Sequence, residues 1–212
     1  MELADELVYI IDDEAKVGHA LSTLLRANGR HVQIFTSGQE FLDFPRRDTC
    51  ACLVLDLKMP GLGGLEVQAQ ISTKTPIPVI FLTGRADIPS TVKAMKGGAI
   101  DFLIKPVDED KLLTSVERAL LQDRASRKEA IESSRLAAQY ESLTPREREV
   151  LALLVRGFLN KQVAFELGIT EYTVQIHRGH IMRKMQADSF AALVTLAGKL
   201  DSESNRSSNR NI

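Results

Sequence analysis

Leu7-Val8-Tyr9-Ile10-Ile11-Asp12-Asp13 joins five apolar residues to two carboxylates. The same pattern returns three times: Cys52-Leu53-Val54-Leu55 runs into Asp56, Val79-Ile80-Phe81-Leu82 into Thr83, and Phe102-Leu103-Ile104 into Lys105. Runs of three to five apolar residues without alternation suit strands buried on both faces of a parallel sheet. The carboxyl ends of such strands share one rim, where ligands bind. Three carboxylates, a hydroxyl and an ammonium are therefore expected to meet there.

The segments between these runs read as helices. One from about Glu14 to Ala27 is stopped by Asn28-Gly29, a good C-cap pair. Strand Val32–Phe35 follows. Ser37 and Glu40 have capping-box spacing and open a short helix through Phe44. Further helices are predicted over about Leu65–Thr73 and Pro89–Lys96, with a last one from near Asp108. Five βα units with short loops give a doubly wound α/β sheet, whose strand order the pattern alone leaves open.

Val107 to Thr144 contains no Gly or Pro. Leu112, Leu113, Val116 and Leu120 keep helical spacing, and the residues beyond are mostly polar helix formers, so 123–140 reads as a semi-rigid helical linker. Four further helices are expected over 141–200. Thr144 and Pro145 start the first, Gly157 ends it, and Gly168-Ile169-Thr170 turns between the second and third. The Ser/Asn/Arg-rich stretch 201–212 reads as a disordered tail. The domains are then 5–122, a linker 123–140, and 141–200.

Composition is that of a soluble globular protein, 44% apolar and 26% charged. No apolar run reaches the roughly 18 residues of a spanning helix, and no secretory leader is visible. Cys50 and Cys52 have no partner cluster, and Cys52 reads as a reduced core thiol; a cytoplasmic location is expected. The net charge of −1 hides an asymmetry: residues 1–124 carry 14 Lys+Arg against 18 Asp+Glu, and residues 142–212 carry 10 against 7. A basic second half points weakly to nucleic acid.

Asp12, Asp13 and Asp56 brought together repel unless a proton or a cation intervenes. Mg²⁺, or Mn²⁺, suits a few carboxylates, a carbonyl, waters and a phosphate oxygen. A carboxylate is also a competent nucleophile. Lys105 can pair with it or with phosphoryl oxygens, Thr83 can donate to a phosphoryl oxygen, and Gly84 leaves room for the group to enter. Singly, each residue has a bland reading: Asp12-Asp13 or Thr83 as a cap, Asp56 in a turn, Lys105 on the surface.

These motifs, with Leu55-Asp56-Leu57-Lys58-Met59-Pro60-Gly61, Leu82-Thr83-Gly84 and Ile104-Lys105-Pro106, resemble the receiver domain of two-component response regulators over about residues 5–122. The resemblance implies a flavodoxin-like sheet in the order 2-1-3-4-5 and Asp56 as acceptor of phosphate from a sensor histidine kinase. It implies Mg²⁺ on Asp12, Asp13, Asp56 and the Lys58 backbone carbonyl, and a cis peptide before Pro106. It makes Phe102 the aromatic that follows Thr83 on phosphorylation. A charge-assisted hydrogen bond of roughly 1.5–3 kcal/mol moves a two-state equilibrium by about one to two powers of ten. The responding face is expected on the helix near Pro89–Lys96 and the last strand. Lys58 and Arg85 are candidates for shaping water access, hence phosphoryl lifetime.

Two helices joined by a three-residue turn with Gly168 carry the helix-turn-helix signature. On the second, Val174, His177, Ile181 and Met185 should face the core. Gln175, Ile176, Gly179, His180 and Arg183 should face the major groove. Ile176 suits a thymine methyl, and Gly179 in mid-helix suits close approach to DNA. Lys161, Thr173, Arg178 and Lys184 are candidates for phosphate contacts. His177 reads as a packed, hydrogen-bonded histidine.

Leu143-Thr144-Pro145-Arg146-Glu147, Gly157, Asn160-Lys161, Thr173-Val174, His177-Arg178 and Ile181-Met182-Arg183-Lys184-Met185 resemble the LuxR-type helix-turn-helix family, and the whole arrangement looks like the FixJ class. Gln175 and Gly179 stand where many relatives carry lysines. The resemblance implies double-stranded promoter DNA, RNA polymerase and a second copy of the chain as partners, with output as an activator commoner than repression. Two other functions remain open at this stage. An Asp-nucleophile phosphohydrolase would turn over phosphoesters, and a fixed, unphosphorylated receiver would leave DNA affinity intact in Asp56→Ala.

Overall fold

The computed structural model describes residues 6–74, 76–84 and 88–209. They fall into two compact units, Met1–Arg127 and Lys128–Ile212.

In the first unit, strands β1 (Leu7–Ile11), β2 (His31–Phe35), β3 (Ala51–Asp56), β4 (Val79–Thr83) and β5 (Asp101–Ile104) form one parallel sheet in the order β2-β1-β3-β4-β5. This is the flavodoxin-like arrangement expected. Helices α1 (Ala15–Ala27), α2 (Gly38–Asp43), α3 (Gly64–Lys74), α4 (Ile88–Lys96) and α5 (Glu109–Glu141) alternate with the strands. β3 and β4 are buried along their whole length, which explains their unbroken apolar runs. One core layer joins Val8, Ile10, Cys52, Val54, Ile80 and Leu82 to Leu112 and Val116 of α5. The other joins Tyr9, Ile11, Leu53, Leu55 and Phe81 to Phe41, Val67 and Ile71. Both cysteines are buried free thiols, and the Cys50 thiol donates to the Leu120 carbonyl at 3.4 Å.

In the second unit, α6 (Pro145–Val155), α7 (Asn160–Leu167), α8 (Glu171–Lys184) and α9 (Phe190–Asn209) enclose Val150, Leu154, Val163, Val174, Ile181, Met185 and Leu193. Gly168 ends α7 at φ 64°, the left-handed conformation a glycine adopts without strain.

Two segments carry detail beyond the expected boundaries. Residues 123–140 are helical, within α5, and both ends of the segment carry contacts. The Asp123 carboxylate accepts from the Ala51 amide at 3.0 Å, tying it to the base of β3, while Leu136 is buried in the second unit's own core. The tail is the other, and a correction, because α9 extends to Asn209. After Gly198 no Gly or Pro occurs up to that point, and Ser, Asn and Asp cost only about 0.7 kcal/mol or less each against Ala. Residues 210–212 lie outside the described residues. Among the described residues no helix is long and apolar enough to cross a membrane.

Candidate functional site

The sheet register assembles the acidic rim. Ile11 pairs with Leu55, so Asp12 and Asp56 leave adjacent strands side by side. Thr83 pairs with Ile104, so Lys105 emerges next to it. Asp12, Asp56 and Thr83 are buried, and Asp13 is exposed. Ligand oxygens of Asp12, Asp13 and Asp56 all lie within 4.8 Å of one another. Lys105 Nζ lies 2.7 Å from Asp12 Oδ2, 2.6 Å from Asp56 Oδ2 and 3.5 Å from Glu14 Oε1. The Lys105 amide donates to the Thr83 carbonyl at 2.7 Å, and the Lys105–Pro106 peptide is cis, as expected. The Lys58 amide donates to Asp56 Oδ1 at 3.0 Å.

Burial pushes the Asp12 carboxyl above the usual carboxylate range, against the pull of Lys105 and the Glu14 amide. Burial lowers the Lys105 ammonium pKa, but its hydrogen bonds to Asp12 and Asp56 outweigh this and raise it. One ammonium facing three carboxylates leaves an excess of negative charge. Together with the raised Asp12 carboxyl, this is an environment a hard divalent cation fits, since it supplies the missing positive charge through oxygen ligands.

A Cβ built on Gly84 meets no atom within 4 Å among the described residues, so the space expected for an entering group is open. Phe102 packs beside Phe81 with ring centroids 6.4 Å apart and is partly exposed. Arg85 lies outside the described residues.

Sequence reading passed over one residue here. A Cβ on Gly64 would overlap the Asp56 carbonyl oxygen and lie 3.0 Å from Leu57 Cα and 3.1 Å from the Phe81 ring. Only glycine lets α3 start this close beneath Asp56. No local pattern marks it, because the contact is made across the β3–α3 loop.

In the second unit, Thr170 caps α8 by accepting from the Thr173 amide at 3.1 Å. Val174, Ile181 and Met185 are buried as expected. His177 is half-buried, but its Nδ1 lacks the expected hydrogen bond among the described residues. Lys161, Gln175, Ile176, Gly179, His180 and Arg183 are exposed. Thr173 is half-buried, with its hydroxyl 2.8 Å from that of Thr170.

Two residues expected at phosphate contacts also have partners within the unit. Lys184 Nζ lies 2.7 Å from Glu147 Oε2 and donates to the Ser142 carbonyl at 3.0 Å. The Arg178 guanidinium stacks 4.6 Å over the Phe190 ring. The physical reason in both cases is a nearby partner that sequence spacing does not reveal. Glu147 is buried and completes a capping box with Thr144, and His180 Nδ1 comes within 3.5 Å of its other oxygen. The Thr-x-x-Glu spacing was visible in the sequence, although its cross-helix partners were not.

Residues 8–117 match the response regulator receiver domain family, and residues 141–197 match the bacterial regulatory proteins of the luxR family. The chain belongs to the two-component response regulators. Response regulator protein TodT of Pseudomonas putida is 45% identical over 195 residues, covering 92% of this chain and 86% of that protein. Transcriptional regulatory protein FixJ of Bradyrhizobium diazoefficiens is 39% identical over 191 residues, covering 90% and 93%. The solved structure of response regulator StyR is 43% identical, with a TM-score of 0.85 over 92% of this chain and all of that one. This response regulator is therefore a transcription regulator, not an enzyme: a receiver domain, whose kind takes phosphate from a sensor kinase and binds Mg²⁺ at an acidic site, precedes a DNA-binding domain.

Proposed function

We propose that Asp56 accepts a phosphoryl group from a sensor histidine kinase and that this promotes dimerisation and promoter binding, with activation as the output. The observation that carries the reading is Lys105 bridging Asp12 and Asp56 at 2.7 and 2.6 Å on a rim of three carboxylates. An Asp56 oxygen forms a bond to phosphorus as the phosphorus–nitrogen bond to the kinase histidine breaks, and that histidine leaves with the electron pair. Asp12, Asp13, Asp56 and the Lys58 carbonyl would hold Mg²⁺ or Mn²⁺. When bound, the cation neutralises charge on the transferring oxygens. Lys105, already placed beside Asp56, keeps a cation against the phosphoryl group, and Thr83 donates to one of its oxygens through the opening at Gly84. Phe102 follows Thr83. Lys58, exposed beside the acceptor, and Arg85 limit the approach of water.

Ile88, Val92 and Met95 of α4 and Ile104 of β5 are exposed apolar residues, which supports this face as the dimer contact. Lys161, Gln175, Ile176, Gly179, His180 and Arg183 form the DNA face, with RNA polymerase as the downstream partner and the cytoplasm as the place of action.

Acetyl phosphate with Mg²⁺, applied to the wild type and Asp56→Asn, tests this. Phosphate incorporation, sedimentation and DNA affinity should rise together in the wild type and stay flat in Asp56→Asn. No incorporation into the wild type overturns the reading.

A further inference from the structure

The recognition helix carries a stripe that the composition of a polar surface does not explain. Tyr172 lies three and four residues before Gln175 and Ile176, and Gly179 lies four and three after them and four before Arg183, so all five share one face of α8. Tyr172 is 72% and Ile176 42% exposed, while Val174 and Ile181 on the opposite face are fully buried. A Cβ on Gly179 would meet nothing within 4 Å among the described residues, so the packing of the domain gives no reason for a glycine in mid-helix. Absence of a side chain there lets the helix axis lie closer to whatever covers the stripe. DNA is the occupant with which this face is continuous, since a helix-turn-helix presents the N-terminal part of its second helix to base edges.

The chemistry of the stripe sets what it can read. Guanine is most often recognised by Arg or Lys, adenine by Gln or Asn, and the thymine methyl by apolar contact. Residues 171–177 contain no Lys or Arg. Arg178 is stacked on Phe190 and Lys184 is held by Glu147, which leaves Arg183 at the far end of the helix. Within the first two turns the stripe itself thus offers two apolar groups and one amide, with Glu171 and Thr173 flanking it.

We propose that Ile176 and Tyr172 each contact a thymine methyl and that Gln175 bonds an adenine, so that α8 selects an A·T core in each half-site. This rests on the DNA-binding reading of the second unit, and adds Tyr172 to the contacts that sequence spacing identifies.

The full chain, treated with acetyl phosphate and Mg²⁺, is used to select duplexes from a randomised pool. The enriched half-site is then resynthesised with deoxyuridine replacing one thymine at a time, which removes a methyl and leaves the protein unchanged. Two positions should each lose about fourfold in affinity. Ile176→Ala should weaken binding to the thymine duplex and become indifferent to deoxyuridine at one position. Tyr172→Ala should do so at the other, while Tyr172→Phe keeps the sensitivity. Both residues are exposed, so melting should be unchanged. Half-sites with G·C pairs at the core, deoxyuridine without effect, or equal deoxyuridine effects in the wild type and the alanine variants would each overturn the proposal. Failure to enrich any duplex would overturn the DNA-binding reading beneath it.

Discussion

Gly64 sits directly beneath the Asp56 carbonyl, so close that a single methyl group on it would overlap that oxygen. The acceptor's backbone and the first residue of α3 therefore cannot move independently. Gly64→Ala should destabilise the receiver by about 1–3 kcal/mol, the usual cost of overpacking, and should also displace Asp56. Urea melting and acetyl phosphate uptake should both fall, and melting alone falling would separate the fold from the site.

Gln68 of α3 ties down the end of α4. Its Nε2 donates to the Ala94 carbonyl at 3.2 Å, in the last turn of α4, and to the Gly97 carbonyl at 3.1 Å, just past its end. A Cβ on Gly97 would lie 2.6 Å from Gln68 Oε1. Gly97→Ala should therefore cost about 1–3 kcal/mol in the wild type by breaking these bonds, and clearly less in Gln68→Ala. Additive losses in the double-mutant cycle would show that the two do not act through this contact.

Acid should loosen the DNA-binding unit through Glu147. Burial alone would raise its carboxyl pKa, but Lys184 and the Thr144 amide and hydroxyl hold it below the ordinary 4.5. A carboxyl with a depressed folded-state pKa contributes stability fully above the unfolded value, and loses it as pH falls through the folded one. The contribution is therefore intact above about pH 4.5 and declines below it. Glu147→Gln should cost about 1–2 kcal/mol at pH 7, discounted because Lys184 is one-third exposed. It should also flatten the acid limb of a stability–pH profile.

Arg178 and Lys161 should behave differently although both are basic and near the expected DNA face. Arg178→Gln removes a cation from the Phe190 ring and should lower stability by about 0.5–1 kcal/mol. Exposed Lys161→Gln should leave melting unchanged, weaken binding to all duplexes alike, and reduce the salt slope by about one. A shared profile for the two variants would contradict the division of roles.

The strand ends were legible because they depend on chain-local patterns: an apolar run fixes a strand, and the residue after it must emerge at the rim. Asp12, Asp56, Thr83 and Lys105 meet for that reason alone. The order of the strands came only through family resemblance. What stayed hidden was any role set by a distant neighbour, as with Gly64 under Asp56, Gln68 on α4, Lys184 on Glu147 and Arg178 on Phe190. Even a local signal slipped by one residue: Ser37 caps α2 through the Glu40 amide, but the Glu40 carboxylate accepts from Thr36, not from Ser37. The disordered tail failed for another reason, since polar composition weakens a helix without forbidding one.

Cys50 and Cys52 are both buried, and burial pushes both thiols up in pKa. Alkylating reagents attack the thiolate, so the native chain presents almost nothing for them to modify. A cysteine introduced at an exposed position such as Ile131 would react alone. Fluorophores or spin labels can then be attached site by site to follow switching, with both native cysteines left in place and the sheet undisturbed.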